Sequence, residues 1–275
     1  MRYFTFFLMV LLCCTPVLAE PWVIKIPRAG APGVDAPSYY PEALLALALA
    51  KTEFIYGGFQ VQYADDMHSS DRLRAMLITH QGIDVMWSTV TGQREREMRS
   101  IDHDIFRGIN GYRRLIIRKA DTAEFAAITS ITDLRQFKSG VGAQWSDKDI
   151  FAYNQLPQVA GTRLDLLAKM LAVRRFDYLA RGLHEYEYDL TSFANGQLTL
   201  ADNLLLHYCQ PVKFFVNKNN HRLGDRLSIG LALAQADGSA DALFNSVPAL
   251  RQARSAINHF NGRLIPLANP VCSTK

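Results

Sequence analysis

The sequence predicts an α/β fold, because segments with the periodicity of strands and of helices alternate along the chain. Trp22–Ile26 is an apolar run typical of a first strand, and Phe59–Tyr63 alternates apolar and polar residues as a second strand would. Between them, Pro41 and Glu42 favour the first turn of a helix that extends to Lys51. Strands separated by helices favour parallel sheets with helices on both faces.

The alternation continues through the middle of the chain, and helices dominate towards its end. Ser69 or Ser70, followed by Asp71, is suited to begin a helix that places Leu73 and Leu77 on one face. Further strands are predicted at 83–87, 114–118, 139–143, 175–179 and 211–216, and further helices at 130–134, after 146, and at 162–173, 222–236, 240–244 and 247–260.

Two linker-like stretches divide this pattern. Arg107–Gly111 is rich in glycine. Gln210–Pro211 precedes a strand, and after that strand the alternating pattern gives way to mainly helices. Two linkers in one chain indicate two lobes, joined by crossings near residues 105–112 and 208–212. We expect residues 20–110 and 211–275 to form the first lobe, and residues 111–210 to form the second.

Residues 1–19 have the pattern of a secretory signal peptide. Arg2 is followed by an apolar run to Leu12, Pro16 follows that run, and Val17–Ala19 forms a small-residue cleavage signal. The apolar run is shorter than the roughly 20 residues that a membrane-spanning helix needs. We therefore expect cleavage after Ala19 and export to the periplasm, with an uncleaved membrane anchor as the alternative.

The composition argues against several classes of function. The formal net charge of +4 arises from interleaved acidic and basic residues, without the basic stripe and aromatic residues of a nucleic-acid-binding surface. The seven histidines are scattered and lack metal-ligand spacing. The motifs of serine hydrolases, zinc proteases, P-loops and dinucleotide-binding proteins do not occur. We therefore expect a protein that is not an enzyme, with no metal, no cofactor and no nucleic-acid partner.

Two cysteines remain after the signal peptide, which itself contains Cys13 and Cys14. An even pair in an oxidising compartment favours a disulfide between Cys209 and Cys272, which would tie the C-terminal tail to the body. Two separate buried thiols are the alternative.

The segment Asp84–Arg94 and the pair Asp237–Gly238 carry a resemblance to a known family. With the signal peptide and the order of elements, they resemble the bacterial periplasmic solute-binding proteins of the amino-acid-binding type (family 3, type II topology). The resemblance implies a monomer with a small-molecule ligand in a cleft between two lobes. It also implies that the family's T-x-T-x-x-R pattern, here Thr89, Thr91 and Arg94, holds the α-carboxylate of the ligand.

The chemistry of Arg94 suits that role, because a guanidinium presents a planar fork that matches a carboxylate. Thr89 and Thr91 can add hydroxyl hydrogen bonds, and Thr91 is placed to cap the following helix. The alternative is that Arg94 and residues 95–97 form one solvated face of a helix.

Five further aromatic or polar residues fall where the family's cleft would lie. Trp87 precedes the segment Thr89–Arg94. Tyr39 and Tyr40 follow the first strand, where an aromatic ring could form the bottom of the ligand site. Trp145 and Ser146 resemble the second-lobe loop that meets the ligand at a helix start. Core packing is the alternative for the aromatic residues, and helix capping is the alternative for Ser146.

The chain departs from the family pattern where an acid binds the amine of the ligand. Beyond Asp177 the residues are Ala180, Arg181 and Gly182, and the nearest acid downstream is Glu185. Two guanidiniums, Arg94 and Arg181, together with a missing acid favour an anionic ligand such as a dicarboxylate. The alternative is that Arg181 points outward and pairs with Glu185 or Glu187.

The function expected from these features is capture of a small carboxylate-bearing ligand for an ABC importer. Two alternatives stay open. The protein could present its ligand to a sensor, which would have to be another protein. It could also be a dehydratase-like enzyme on the same fold, with Glu185 or Asp147 placed against a bound acid.

Overall fold

The computed structural model describes residues 20–27, 39–64, 69–193 and 196–272. The predicted signal peptide, residues 1–19, lies outside these ranges. Within them, none of the helices combines the length and the apolar character that crossing a membrane requires.

Two small sheets lie side by side in one part of the molecule, which the start of the chain and residues 212–258 form together. The first consists of the parallel strands β1 (Trp22–Ile26) and β2 (Phe59–Tyr63), with the bounds that the sequence predicts. The second consists of antiparallel strands in the order β3 (Val85–Thr89), β10 (Val212–Asn217) and β4 (Met98–Ser100). The helices that accompany these sheets are α1 (Tyr40–Ala50), α2 (Glu53–Tyr56), α3 (Ser70–Ile78), α4 (Gly92–Glu97), α10 (His221–Ala236), α11 (Ser239–Ser246) and α12 (Pro248–Asn258).

The core of this part of the molecule is the contact between α1 and α10. Leu44 and Leu45 are fully buried there, and so is Leu227 on the facing helix. Gly230 makes the close approach possible, because a Cβ at this position would lie 2.0 Å from the carbonyl oxygen of Ala48. The two helices therefore pack backbone to backbone at this point.

A larger mixed sheet follows, in the strand order β11-β9-β5-β8-β6-β7. Its strands are β5 (Tyr112–Arg118), β6 (Ser139–Gly142), β7 (Gln158–Gly161), β8 (Tyr178–Gly182), β9 (Leu198–His207) and β11 (Arg263–Pro266). Its helices are α5 (Thr122–Ala126), α6 (Ile131–Leu134), α7 (Asp147–Tyr153), α8 (Leu164–Ala172) and α9 (Tyr186–Phe193). The expected α/β architecture of sheets flanked by helices is confirmed.

The chain passes between the two parts twice, after β4 and after β9. The two crossings run side by side, since Tyr208 N donates to Gly111 O over 3.0 Å. Asn110 Nδ2 also donates to Gln210 O over 2.9 Å. Gly111 has no space for a side chain, because a Cβ would lie 2.4 Å from the carbonyl oxygen of Tyr208.

The C-terminal segment differs from expectation, because it returns to the larger sheet. β11 pairs in parallel with β9, and Ile265 and Leu267 are buried in the core of that sheet. A disulfide joins Cys209 to Cys272, with 6.1 Å between the Cα atoms. Residues 211–275 therefore do not all complete the first lobe. We propose one lobe of residues 20–110 with 211–262, and a second of residues 111–210 with 263–272.

Candidate functional site

A polar cavity lies between the two parts of the molecule, at the point where both crossings pass. Its volume is ≈ 200 Å³. Residues of both parts line it: Ser70, Ser88, Thr89, Arg94, Asn110, Arg113, Gln144, Trp145, Ser146, Asp147, Arg181, Glu185 and Gln210. We call this space the central cavity. It brings together six of the ten predicted ligand-binding residues, from segments that are far apart in the sequence.

Arg94 reaches the central cavity because α4 begins directly after β3. Thr91 caps this short helix, since its Oγ1 accepts a hydrogen bond from Arg94 N over 3.2 Å. Arg94 Nη1 donates to Thr89 O over 2.9 Å and to Thr89 Oγ1 over 3.0 Å. Burial lowers the pKa of Arg94, but a guanidinium stays charged in proteins. Among the described residues no carboxylate forms an ion pair with Arg94, so its remaining N–H groups can donate hydrogen bonds to an anionic group.

Ser146 links the second lobe to this arrangement. Its Oγ donates to Thr89 Oγ1 over 3.1 Å, and Gln210 Nε2 donates to Ser146 Oγ over 2.7 Å. Ser146 does precede α7, as the sequence predicts, but its side chain makes no capping hydrogen bond. The hydroxyl is instead shared between the two lobes and the second crossing.

A buried ion pair closes one wall of the central cavity. Arg113 Nε donates to Asp147 Oδ1 over 2.9 Å, with both side chains largely buried. Tyr208 OH also donates to Oδ1 of this carboxylate, and Gln210 Nε2 donates to Oδ2 over 3.2 Å. Burial would raise the pKa of Asp147, but the charge of Arg113 and these hydrogen bonds hold it below its usual value. Asp147 is therefore an ionised structural partner of Arg113.

Sequence reasoning missed Arg113, Asn110 and Gln210 as cavity residues. The available signal was Arg113, a charged residue inside the strand β5, which is otherwise mostly apolar and buried. A buried arginine in a strand needs a partner. Nothing in the sequence shows that the partner is Asp147, 34 residues away.

Arg181 lines the central cavity but is already paired. Its Nε donates to Asp189 Oδ2 over 2.5 Å, and its Nη2 lies 3.4 Å from Glu185 Oε2. Its guanidinium also lies over the ring of Trp145, with 4.7 Å from Cζ to the ring centroid. Arg181 thus approaches the central cavity from the second lobe, as Arg94 does from the first, but its charge is balanced by Asp189 and Glu185. It pairs with Glu185 as the alternative predicts, with Asp189 in the place of Glu187, but the side chain does not point outward, since it is 12% exposed.

Trp145 lies flat against the end of β6, because Gly142 leaves room for its ring. A Cβ at Gly142 would lie 2.4 Å from the indole atoms. The indole thus forms a wall of the central cavity and holds the guanidinium of Arg181 on its face. This aromatic wall limits the size of any group that enters between Trp145 and Arg94.

Glu185 offers a negative charge on the second lobe. Its Oε2 accepts a hydrogen bond from Gly182 N over 3.1 Å. Burial opposes ionisation, but Arg181, His184 and Arg113 together lower its pKa to about 2. Its other oxygen, Oε1, has no hydrogen-bond partner within the described part of the chain, and the side chain is 39% exposed. An ammonium group in the central cavity could therefore contact Glu185.

Four predicted residues lie away from the central cavity. Tyr40 is 1% exposed and packs between Phe106 and Phe244, with ring centroids 5.9 and 5.7 Å away. Trp87 packs edge to face on a core phenylalanine. The other two are Tyr39, which precedes α1, and Thr91, which lines the neighbouring chamber. Core packing, the alternative given for the aromatic residues, therefore describes Tyr40 and Trp87.

A second chamber of ≈ 550 Å³ adjoins the central cavity on the side of α3, α4 and α7. Arg94, Trp145 and Ser146 line both spaces. The disulfide-anchored tail, residues 269–271, forms part of its wall. Arg94 thus lies between an inner polar space and an outer one. In neither space, nor elsewhere in the described ranges, do three or more His, Cys, Asp or Glu residues gather in a way that could hold a metal ion.

Comparison with known proteins finds similarity in structure only. No family model matches the sequence, and no curated protein matches it. One similar solved structure is a binding component of an ABC transporter from Wolinella succinogenes in complex with lysine, at 15% identity and a TM-score of 0.60, covering 82% of this chain and 95% of that one. A second is a mutant of the arginine-binding protein from T. maritima, at 16% identity and a TM-score of 0.58, covering 82% and 94%.

A third similar structure is a histidine kinase sensor domain that resembles periplasmic binding proteins, at 17% identity and a TM-score of 0.56, covering 83% of this chain and 96% of that one. At such identities the likeness establishes the fold. The chain has the two-lobed type II periplasmic-binding-protein fold, and its central cavity lies between the lobes.

Proposed function

We propose that this protein is an exported solute-binding protein that holds a small, amino-acid-like carboxylate between its lobes. The observation that carries the proposal is Arg94, whose guanidinium faces the central cavity without a carboxylate partner among the described residues. Thr89 fixes one nitrogen of the guanidinium, so the fork is oriented before a ligand arrives. A planar carboxylate is the group that such a fork binds best.

The charges around the cavity favour a ligand that also carries an amine. Arg113 is balanced by Asp147, and Arg181 by Asp189 and Glu185. Arg94 and the Oε1 atom of Glu185 are then available for a ligand. Such a ligand would carry a negative group at the end near Arg94 and a positive group at the end near Glu185. A zwitterion satisfies both groups, whereas a dicarboxylate would bring a second negative charge towards carboxylates that are already present.

The likeness to the lysine-bound component of an ABC transporter supports a role in uptake. Together with the predicted signal peptide, it supports a location in the periplasm, where the protein would deliver its ligand to an ABC permease. The likeness to a histidine kinase sensor domain supports the alternative, in which the partner is a signalling protein.

A binding screen of the mature chain, residues 20–275, tests the proposal. We expect zwitterionic amino acids to raise the melting temperature more than dicarboxylates or amines without a carboxylate do. A ligand at 100 times its dissociation constant should add about 2.7 kcal/mol to the free energy of unfolding. Calorimetry with the best ligand then gives the affinity, and analysis of the same solution for products separates binding from turnover.

Arg94→Ala should abolish this binding, and Arg94→Lys should restore little of it, because a lysine cannot present a fork. Arg96→Ala is the matched control, since Arg96 is exposed on the same helix and lines only the outer chamber. Unchanged affinity in Arg94→Ala, or an equal loss in Arg96→Ala, would contradict the proposal.

A further inference from the structure

A second interlobe space lies outside the central cavity, between α9 of the second lobe and α12 of the first. It is a groove of ≈ 770 Å³, a volume within the range of about 300–1,000 Å³ typical of small-molecule sites. We call it the α9–α12 groove. The proposed function does not use it.

The lining of this groove is apolar in its body. Leu183, Pro248, Ala249, Ala253 and Ala256 supply aliphatic surface, and the small side chains of α12 leave the space open. Leu183 and Ala253 are buried and belong to the same core as α1 and α10. One wall of the groove is therefore supported by the hydrophobic core, and its surface is suited to the apolar part of a ligand.

Glu187 sets the charge of the groove. It is the only Asp, Glu, Lys or Arg among the described residues that line this space, in a chain with 30 Lys and Arg residues. His259 Nδ1 lies 2.8 Å from Ser255 O. In a neutral ring this nitrogen carries the proton, which leaves Nε2 as an acceptor. The carboxylate of Glu187 would repel an anion, and it can receive the N–H groups or the charge of a cation.

Aromatic rings complete the lining. Tyr186 and Tyr188 lie on either side of Glu187 on α9, and His184 lines the groove beside them. His184 is stacked on Phe106, with 4.8 Å between ring centroids, and its Nδ1 has no hydrogen-bond partner among the described residues. Tyrosine faces attract organic cations by about 0.5–1 kcal/mol at exposed sites, and by more where water is excluded.

We infer that the α9–α12 groove is a second ligand site, for an organic ammonium cation with an apolar body. The aliphatic wall takes the body, the tyrosine rings and Glu187 take the charge, and the absence of Lys and Arg from the described lining disfavours anions. The site contacts both lobes. It also shares the segment 181–185 with the central cavity, since Leu183 and His184 face the groove while Arg181 and Glu185 face the cavity.

Titration of the mature chain with three probes of one length tests this inference. The probes are hexyltrimethylammonium, 1-hexanol and hexanoate, measured by calorimetry. We expect saturable binding of the ammonium probe, with the alcohol and the carboxylate at least about tenfold weaker. Glu187→Gln should weaken the ammonium probe by about two- to fivefold, as expected for a partly exposed charge pair. Ala256→Trp, which fills the groove, should abolish its binding.

Two control variants test whether the ammonium probe binds in the groove. Glu53→Gln removes an exposed acid from α2, and Arg94→Ala alters the central cavity; neither should change the affinity for the ammonium probe. Equal binding of 1-hexanol, no saturable binding, or binding that survives Ala256→Trp would overturn the inference. Arg94→Ala alters the central cavity and not the groove, so it separates the two sites. If the groove fails to bind the ammonium probe, the proposed function still stands. If the central cavity fails to bind an amino acid, the inference about the groove still stands.

Discussion

Ser146 and Thr89 join the two lobes through a single hydrogen bond, with 3.1 Å between their hydroxyl oxygens. The same Thr89 hydroxyl accepts from Arg94, and Ser146 accepts from Gln210 on the second crossing. The proposed carboxylate-binding group is thus connected to a crossing through two hydroxyl groups. A ligand that engages Arg94 would act directly on one of the contacts between the lobes.

Ser146→Ala should therefore shift the molecule towards an open form. A neutral hydrogen bond contributes about 1 kcal/mol, which corresponds to about a fivefold change in the ratio of closed to open molecules. We expect a larger radius of gyration by small-angle X-ray scattering, and a ligand affinity that is weaker by up to the same factor. Ser246→Ala, at an exposed hydroxyl of α11, is the control. An unchanged radius in Ser146→Ala would show that this contact does not hold the lobes together.

The buried pair of Arg113 and Asp147 should be costly to break. Arg113→Met leaves the Asp147 carboxylate buried without its cation, and such losses destabilise proteins by about 3–5 kcal/mol. The double variant Arg113→Met with Asp147→Leu should be destabilised less than Arg113→Met alone. Urea unfolding measures both. Arg163→Ala breaks an exposed pair and should destabilise the protein far less than Arg113→Met does; a similar cost at both sites would refute this account.

Stability should fall on the acid side because of Asp147 and Glu185. The folded protein holds the pKa of Asp147 below its usual value, and lowers that of Glu185 from 4.5 to about 2. A carboxyl group with a depressed pKa stabilises the fold above its unfolded pKa, and this stability is lost as the pH falls through the folded pKa. We expect the free energy of unfolding to decline from about pH 4.5 towards pH 2. Asp147→Asn should flatten this decline, and an equally steep decline in the variant would contradict the assignment.

The disulfide should stabilise the fold by closing a loop. Cys209 and Cys272 are 63 residues apart, and chain entropy for a loop of this length corresponds to about 4 kcal/mol. Reduction should therefore lower the melting temperature of the mature protein, while Cys272→Ser should show a low melting temperature with or without reductant. A melting temperature that reductant does not change would mean that the bond contributes nothing to stability.

Much of the fold follows from local sequence patterns. β1 and β2 have their predicted bounds because each segment shows a clear strand pattern between turns. β8 lies three residues later than predicted, at Tyr178–Gly182, because Arg174 adopts a left-handed conformation that ends the preceding turn. β9 was not predicted, since Asp202 and Asn203 interrupt its apolar run, and a register shift occurs opposite that part of the strand.

The site was harder to predict, because its charges depend on tertiary contacts. Arg94 could be identified from a local motif, whereas the balance of Arg181 depends on Asp189, eight residues away on the next helix. Arg113 meets Asp147 across the crossing region. An inventory of charges along the chain counts these groups as free. Only their pairing supports the proposal that Arg94 and one oxygen of Glu185 bind a ligand.

Glu185→Gln tests whether that carboxylate oxygen selects an amine. The variant keeps the size of the side chain but removes the charge, so it should weaken a zwitterionic ligand and spare the deaminated acid of the same skeleton. For a partly exposed ammonium–carboxylate contact we expect a loss of about two- to fivefold, with little change for the deaminated acid because Arg94 still holds its carboxylate. Calorimetry with the matched pair of ligands measures the ratio of affinities directly. Glu187→Gln, two residues away and facing the α9–α12 groove, is the control. If both ligands lost affinity equally in Glu185→Gln, the residue would act by positioning Arg181, and the ligand would be a simple carboxylate held by Arg94.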